Sequence, residues 1–198
     1  MNQDIRICFV GDSFVNGTGD ATALGWAGRL CVEANTYGSQ VTCYNLGIRR
    51  NTSRDILARW ELECRLRLPE SCDGRVVISC GVNDTVLENG AIRVSFTESC
   101  NNVRDILGAA KNYKVLMVGP PPVNDDDQDQ RINALSSAYA AIAAELEVPF
   151  IDLFSALALD ESYSAEISGN DSFHPGSEGY IKMANIIASS GSWWFKRP

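Results

Sequence analysis

Ile5-Arg6-Ile7-Cys8-Phe9-Val10-Gly11-Asp12-Ser13-Phe14 runs from a β-rich, mainly apolar segment into a glycine and then into small polar groups. Apart from Arg6, its first part is apolar at successive positions, which is how a strand covered on both faces reads. Runs of the same kind recur at Val41 to Leu46, Arg75 to Cys80, Val115 to Val118 and Pro149 to Leu153. Between them the apolar spacing predicts helices over 24–37, 52–67, 95–111 and 130–146, with a last one from 175 to about 189. Thr52-x-x-Asp55 opens the second of these as a capping box, followed by Ile56, Leu57, Trp60 and Cys64 at helical spacing. Pro175 is expected in the first turn of the last helix, with Tyr180, Met183 and Ile187 on one face. Strand–helix alternation of this kind predicts an α/β fold, a three-layer α/β/α sandwich around a mainly parallel five-stranded sheet.

The length of 198 residues suits one domain over 1–198, and no repeat or linker divides it. With 45% hydrophobic and 21% charged residues the chain can build a core, so disorder is excluded. No apolar run approaches the ~18 residues of a membrane span. A net charge of -8 is a poor match to nucleic acid. The seven cysteines include no C-x-x-C pair, and Cys8 and Cys80 sit inside apolar runs as small hydrophobes. Met1-Asn2-Gln3-Asp4 has none of the features of a secretory signal, so the expectation is a reduced, cytoplasmic protein.

In an open parallel sheet, ligands bind beyond the carboxyl ends of the strands. Gly11-Asp12-Ser13-Phe14, Gly47 and Gly81-Val82-Asn83-Asp84 follow the first three strands, and Asp171-Ser172-Phe173-His174-Pro175 precedes the last helix. Each element has an ordinary explanation: Ser13 as a helix cap, Gly47 and Asn83 as turn residues, His174 as a structural imidazole. Together they make a catalytic set. Asp171 can accept from Nδ1–H of His174, which leaves Nε2 free as a base for a hydroxyl, and Ser13 is the candidate. The Asn83 amide and the backbone N–H groups of Gly47 and Ser13 could hold an oxyanion. Phe14, Val82, Val86 and Leu87 are candidate pocket walls by their nearness to these motifs.

The four blocks resemble those of the SGNH hydrolases, or GDSL esterase/lipase family. Gly11-Asp12-Ser13-Phe14 matches the first block, with Phe where Leu is usual, and Asn45-Leu46-Gly47 the second. Gly81-Val82-Asn83-Asp84 matches the third, and Asp171-x-x-His174-Pro175 the last. The resemblance implies a flavodoxin-like topology, ester hydrolysis through an acyl-enzyme, and no metal or organic cofactor. Small or medium acyl esters are the expected substrates. A carbohydrate acetylesterase, a thioesterase and a lysophospholipase would use the same site, and a flavodoxin-like binding module is the non-catalytic alternative. No oligomer is indicated.

Other features are set aside. Asp125, Asp127 and Asp129 imitate calcium-loop ligands, but Gln130 and Ser136 stand where Gly and Glu are needed, so a solvated loop leading into a helix is expected. Arg49 and Arg50 read as solvated charges and Arg54 as support for the next helix; the other reading sets them against an anionic substrate. Trp193, Trp194 and Phe195 are expected to pack back on the domain, with a dimer or lipid contact as the sharper alternative.

Overall fold

The computed structural model describes residues 4–196; Met1-Asn2-Gln3, cited above against a secretory signal, lie outside them. Among the described residues the strands are β1 (Ile5–Gly11), β2 (Val41–Gly47), β3 (Asp73–Ser79), β4 (Leu87–Glu88), β5 (Ala91–Ile92), β6 (Lys114–Val118) and β7 (Phe150–Ile151). The α-helices there are α1 (Ser13–Asn16), α2 (Gly25–Thr36), α3 (Ser53–Arg67), α4 (Phe96–Ala109), α5 (Asp126–Glu145), α6 (Leu153–Leu157), α7 (Glu161–Ser168) and α8 (Ser177–Ser189). The main sheet has the order β2-β1-β3-β6-β7 with every pairing parallel: the parallel pairing is that expected from the strand–helix alternation, and the flavodoxin-like order that implied by the family resemblance. β4 and β5 form a separate antiparallel hairpin.

The apolar runs are continuous because each strand feeds two cores. Ile7 and Phe9 of β1 pack with Val77, Leu116, Trp26 of α2, and Tyr180, Met183 and Ile187 of α8. Cys8 and Val10 face the other way, onto Ile56, Trp60 and Cys64 of α3, Val103 and Ile106 of α4, and Tyr139 of α5. Successive side chains point to opposite faces, so a strand covered on both sides must be apolar at odd and even positions alike. The Trp193-Trp194-Phe195 cluster packs back on this body. Trp193 lies 6.4 Å from the Phe9 ring, and the Arg75 guanidinium sits 4.9 Å from the centre of Phe195.

The helix ends follow local chemistry. Thr52 and Asp55 form the expected reciprocal capping box. α5 begins earlier than the spacing predicts: Asp125 caps it, and Asp126, Asp127 and Asp129 occupy its first turn instead of a loop. Carboxylates there complement the positive end of the helix dipole and offset the weak helix propensity of Asp. α8 begins at Ser177 with Gly176 as its cap, so Pro175 lies just outside the helix and not in its first turn. The short α6 and α7 and the β4–β5 hairpin escape a periodicity reading because they are too brief to show a period. Among the described residues no helix is long and apolar enough to cross a membrane.

What positions the site is the register at the carboxyl edge. Gly11 at the end of β1 pairs with Gly47 of β2 and Ser79 of β3, so the polar segments after these strands emerge at one level. The turn after β3 is then locked by a buried carboxylate. Asp84 accepts from Ser53 N–H at 2.7 Å and from the Ser99 hydroxyl, joining the turn that carries Asn83 to α3 and α4. From the other side Gln128 of α5 donates to Val82 O at 3.1 Å. Replacing Asp84 by Ala leaves the buried Ser53 N–H without its acceptor and the Ser99 hydroxyl with Tyr139 alone. Asp84→Ala is expected to lower unfolding free energy by about 3 kcal/mol, measured by urea denaturation; a loss below ~0.5 kcal/mol would contradict this role.

Candidate active site

Asp12 caps α1 by accepting from Phe14 N–H at 2.9 Å, which places Ser13 at the first helical position, at the carboxyl edge of the sheet. Gly11 has no room for a side chain: a Cβ would lie 2.2 Å from Ser79 O and 2.4 Å from Val15. At the far end of the chain, Asp171 begins a tight turn in which Ser172 adopts a left-handed φ of 62°. One Asp171 oxygen accepts from Phe173 N–H at 3.0 Å and His174 N–H at 2.7 Å, and the other meets His174 Nδ1 at 2.7 Å. A carboxylate only accepts, so Nδ1 carries the hydrogen and Nε2 is left to accept from the Ser13 hydroxyl, 2.8 Å away. The His174 ring is held between Phe14 and Phe173, with centroids at 5.0 and 5.1 Å. Burial pushes the Asp171 carboxyl up, but the hydrogen bonds from the His174 backbone and ring outweigh it and leave it below the usual carboxylate range.

Asn83 lies beside this trio. Its Nδ2 donates to Asp12 at 3.3 Å, and its Oδ1 accepts from Arg93 at 3.5 Å, so the amide is held at both ends. Ser13 N–H is in the first turn of α1, where no intrahelical acceptor exists. The structure therefore brings Ser13, His174, Asp171 and Asn83 to one cleft of about 300 Å³, also lined by Arg49, Arg50, Val86, Arg93 and Phe173.

Four sequence assignments change. Gly47 does not line the cleft, and its N–H donates to Asn45 Oδ1 at 3.0 Å instead of standing free. The position requires glycine for closeness: a Cβ would lie 2.2 Å from Asn16 N and 2.6 Å from Asp12 O. Phe14 and Val82 are each 1% exposed and belong to the core, Phe14 bracing the imidazole from behind. Leu87 is 61% exposed in the β4–β5 hairpin and away from the cleft. Of the four candidate walls only Val86 lines it.

Arg93, Phe173 and the roles of Asp12 and Asp84 were missed. Asp12 and Asp84 stand inside the quoted motifs, so their position was visible and their burial was not. Nothing in the pattern marks Arg93, which arrives through the hairpin. Arg54 lies outside the cleft and bridges α3 to Glu98 of α4 at 2.6 Å.

Comparison with known proteins gives the family and the fold. Residues 9–181 match the GDSL-like Lipase/Acylhydrolase family. The chain belongs to that family and is an ester hydrolase of the SGNH type. No curated protein matches the sequence. Its fold is that of a lipase/acylhydrolase from Enterococcus faecalis, at 24% identity and TM-score 0.77 over 92% of this chain and 93% of that one. It is also that of an acetylxylan esterase from Geobacillus stearothermophilus, at 20% identity and TM-score 0.80 over 99% and 98%. A lipolytic G-D-S-L protein from Veillonella parvula superposes at 19% identity and TM-score 0.73 over 95% and 98%.

Burial carries the Asp12 carboxyl up to about 7; the Phe14 N–H draws it down, and the charge of Asp84 pushes it back up. Between ~pH 4 and ~pH 7 the native state thus holds a proton that the unfolded chain has released. This contribution to stability is complete below the unfolded carboxylate range and is lost as pH rises through about 7. Unfolding free energies of the wild type and Asp12→Asn, compared at about pH 5 and about pH 8, should shift by roughly 2–3 kcal/mol in favour of the variant at the higher pH. A pH-independent difference would contradict the assignment.

Proposed function

We propose that Ser13 is the nucleophile, His174 the general base and Asp171 the group that orients the imidazole. The single observation that carries this reading is the unbroken chain Asp171–His174–Ser13, with contacts of 2.7 and 2.8 Å, opening into a cleft. Ser13 Oγ attacks the acyl carbonyl while its proton passes to His174 Nε2. The tetrahedral oxyanion is held by Ser13 N–H and the Asn83 amide; Gly47 N–H can join them only by leaving or sharing Asn45. The imidazolium gives its proton to the departing alcohol, and water, activated by the same imidazole, releases the acid from the acyl-enzyme.

The size of the cleft favours a small acyl group. Its volume of about 300 Å³, with Val86 and Phe173 supplying apolar wall, has room for a short acyl group and little for a long alkyl chain. This supports an acetyl-sized substrate, the class acted on by the Geobacillus acetylxylan esterase, over lysophospholipids. The odd number of cysteines, seven, with Cys8, Cys64 and Cys80 buried as small apolar groups, supports a reducing, cytoplasmic setting. One catalytic domain over 1–198 without a nucleic-acid partner fits the net charge of -8.

Turnover of p-nitrophenyl acetate by Ser13→Ala is expected to fall by about four orders of magnitude or more while its circular dichroism is unchanged. His174→Ala should lose turnover by a similar factor. Retained turnover in the first variant would remove Ser13 as nucleophile, and retained turnover in the second would remove His174 as base.

A further inference from the structure

A chain with a net charge of -8 presents three arginines and one aspartate at the mouth of its cleft. Asp171 is committed to His174. Asp12 and Asp84 are buried in the turns around Asn83, and Asp84 and Asp55 lie in the field of Arg93. At the surface two cations share Glu88: Arg50 at 2.6 Å and Arg93 at 3.6 Å. Arg49 is exposed and has neither an ion pair nor a side-chain hydrogen bond among the described residues, so it is the cleft cation left to meet a substrate anion.

The segment that carries these cations is fixed. Ile48 N–H donates to Gly11 O at 3.0 Å, and Arg59 holds Asn51 Oδ1 at 2.7 Å. Between them Arg50 adopts a left-handed φ of 65°, and its carbonyl is pinned by Arg93 at 3.0 Å. A non-glycine residue in that region costs energy, and the surrounding bonds impose it. Its result is that the backbone presents Arg49 and Arg50 at the cleft, so that a substrate has only the Arg49 side chain left to order.

We propose that this cleft selects esters bearing an anionic group, a carboxylate or phosphate, close to the ester bond, and that Arg49 is the cation that reads it. The proposal rests on the reading of Ser13 as nucleophile. A generic contribution of the arginines to the oxyanion would raise turnover of every ester alike; recognition of a substrate anion raises only that of charged ones.

Matched pairs separate the two. 4-Acetoxybenzoate against its methyl ester places the charge on the alcohol side, and mono-4-nitrophenyl glutarate against its methyl ester places it on the acyl side. 4-Acetoxyphenyl phosphate tests phosphate in place of carboxylate. At low salt the ratio of kcat/KM for the charged to the neutral member is expected to exceed about ten in at least one pair and to shrink at high ionic strength. Arg49→Ala should lower that ratio about fivefold or more, and Arg49→Lys should restore most of it. No preference in either pair and poor turnover of the phosphate, or a ratio unchanged in Arg49→Ala, would overturn the proposal. Hydrolysis of neutral esters without preference defeats this proposal alone. Absence of turnover of every ester by the wild type defeats the nucleophile reading and this proposal with it.

Discussion

Ser13 and His174 stand 161 positions apart, so the 2.8 Å hydrogen bond between them closes a very long loop. That closure costs about 4–5 kcal/mol of chain entropy, several times what one hydrogen bond returns. The bond is thus a consequence of the fold and cannot be its cause. Two features offset the cost. The parallel register sets Gly11, Gly47 and Ser79 at one level, and Tyr180 and Met183 of α8 pack in the same core as Phe9 of β1. Asp20 then fastens the chain's end to its beginning: it accepts from Gly25 N–H at 2.8 Å and Ser177 Oγ at 2.7 Å, and pairs with Arg29. Burial raises that carboxyl, but Arg29 and Ser177 overcome it and hold it well below the usual range.

Two buried acids hold the site together. Asp12 and Asp84 are buried within the two turns that meet at Asn83, and burial raises both above the ordinary carboxylate range. An apolar residue at either place would remove that cost, but it could not accept the Phe14 N–H or the Ser53 N–H. The hydrogen bonds that each acid accepts offset the cost of its burial and keep Ser13 and the Asn83 amide in fixed positions. Preorganised donors are worth on the order of 3 kcal/mol each in acyl transfer, which is comparable to the cost of burying such a carboxyl.

The strand runs were legible because a doubly covered sheet demands apolar residues at both parities, as Ile7 to Val10 show. Ser13 and Asn83 were legible because strand ends of a parallel sheet share an edge, and Asp171 and His174, in the turn between α7 and α8, because a carboxylate three residues before an imidazole can reach its Nδ1. Other features were not. Whether a glycine offers its N–H or only its lack of a side chain depends on what lies opposite, and at Gly47 that is Asn45 Oδ1 and the backbone of α1. Nearness in sequence misled at Phe14 and Val82, because a residue beside one that faces the cleft, on a helix or turn, points the other way, into the core. Arg93 was invisible because a two-stranded hairpin with no apolar period delivers it to Asn83 and Arg50.

The central claim is that one hydroxyl, activated by a histidine from the other end of the chain, performs the chemistry. Mass spectrometry of the protein after treatment with a fluorophosphonate tests it most directly. The account requires one adduct per chain, located on the peptide containing Ser13 and greatly slowed in His174→Ala. An adduct on another residue, or no adduct on an enzyme that still hydrolyses esters, would contradict it.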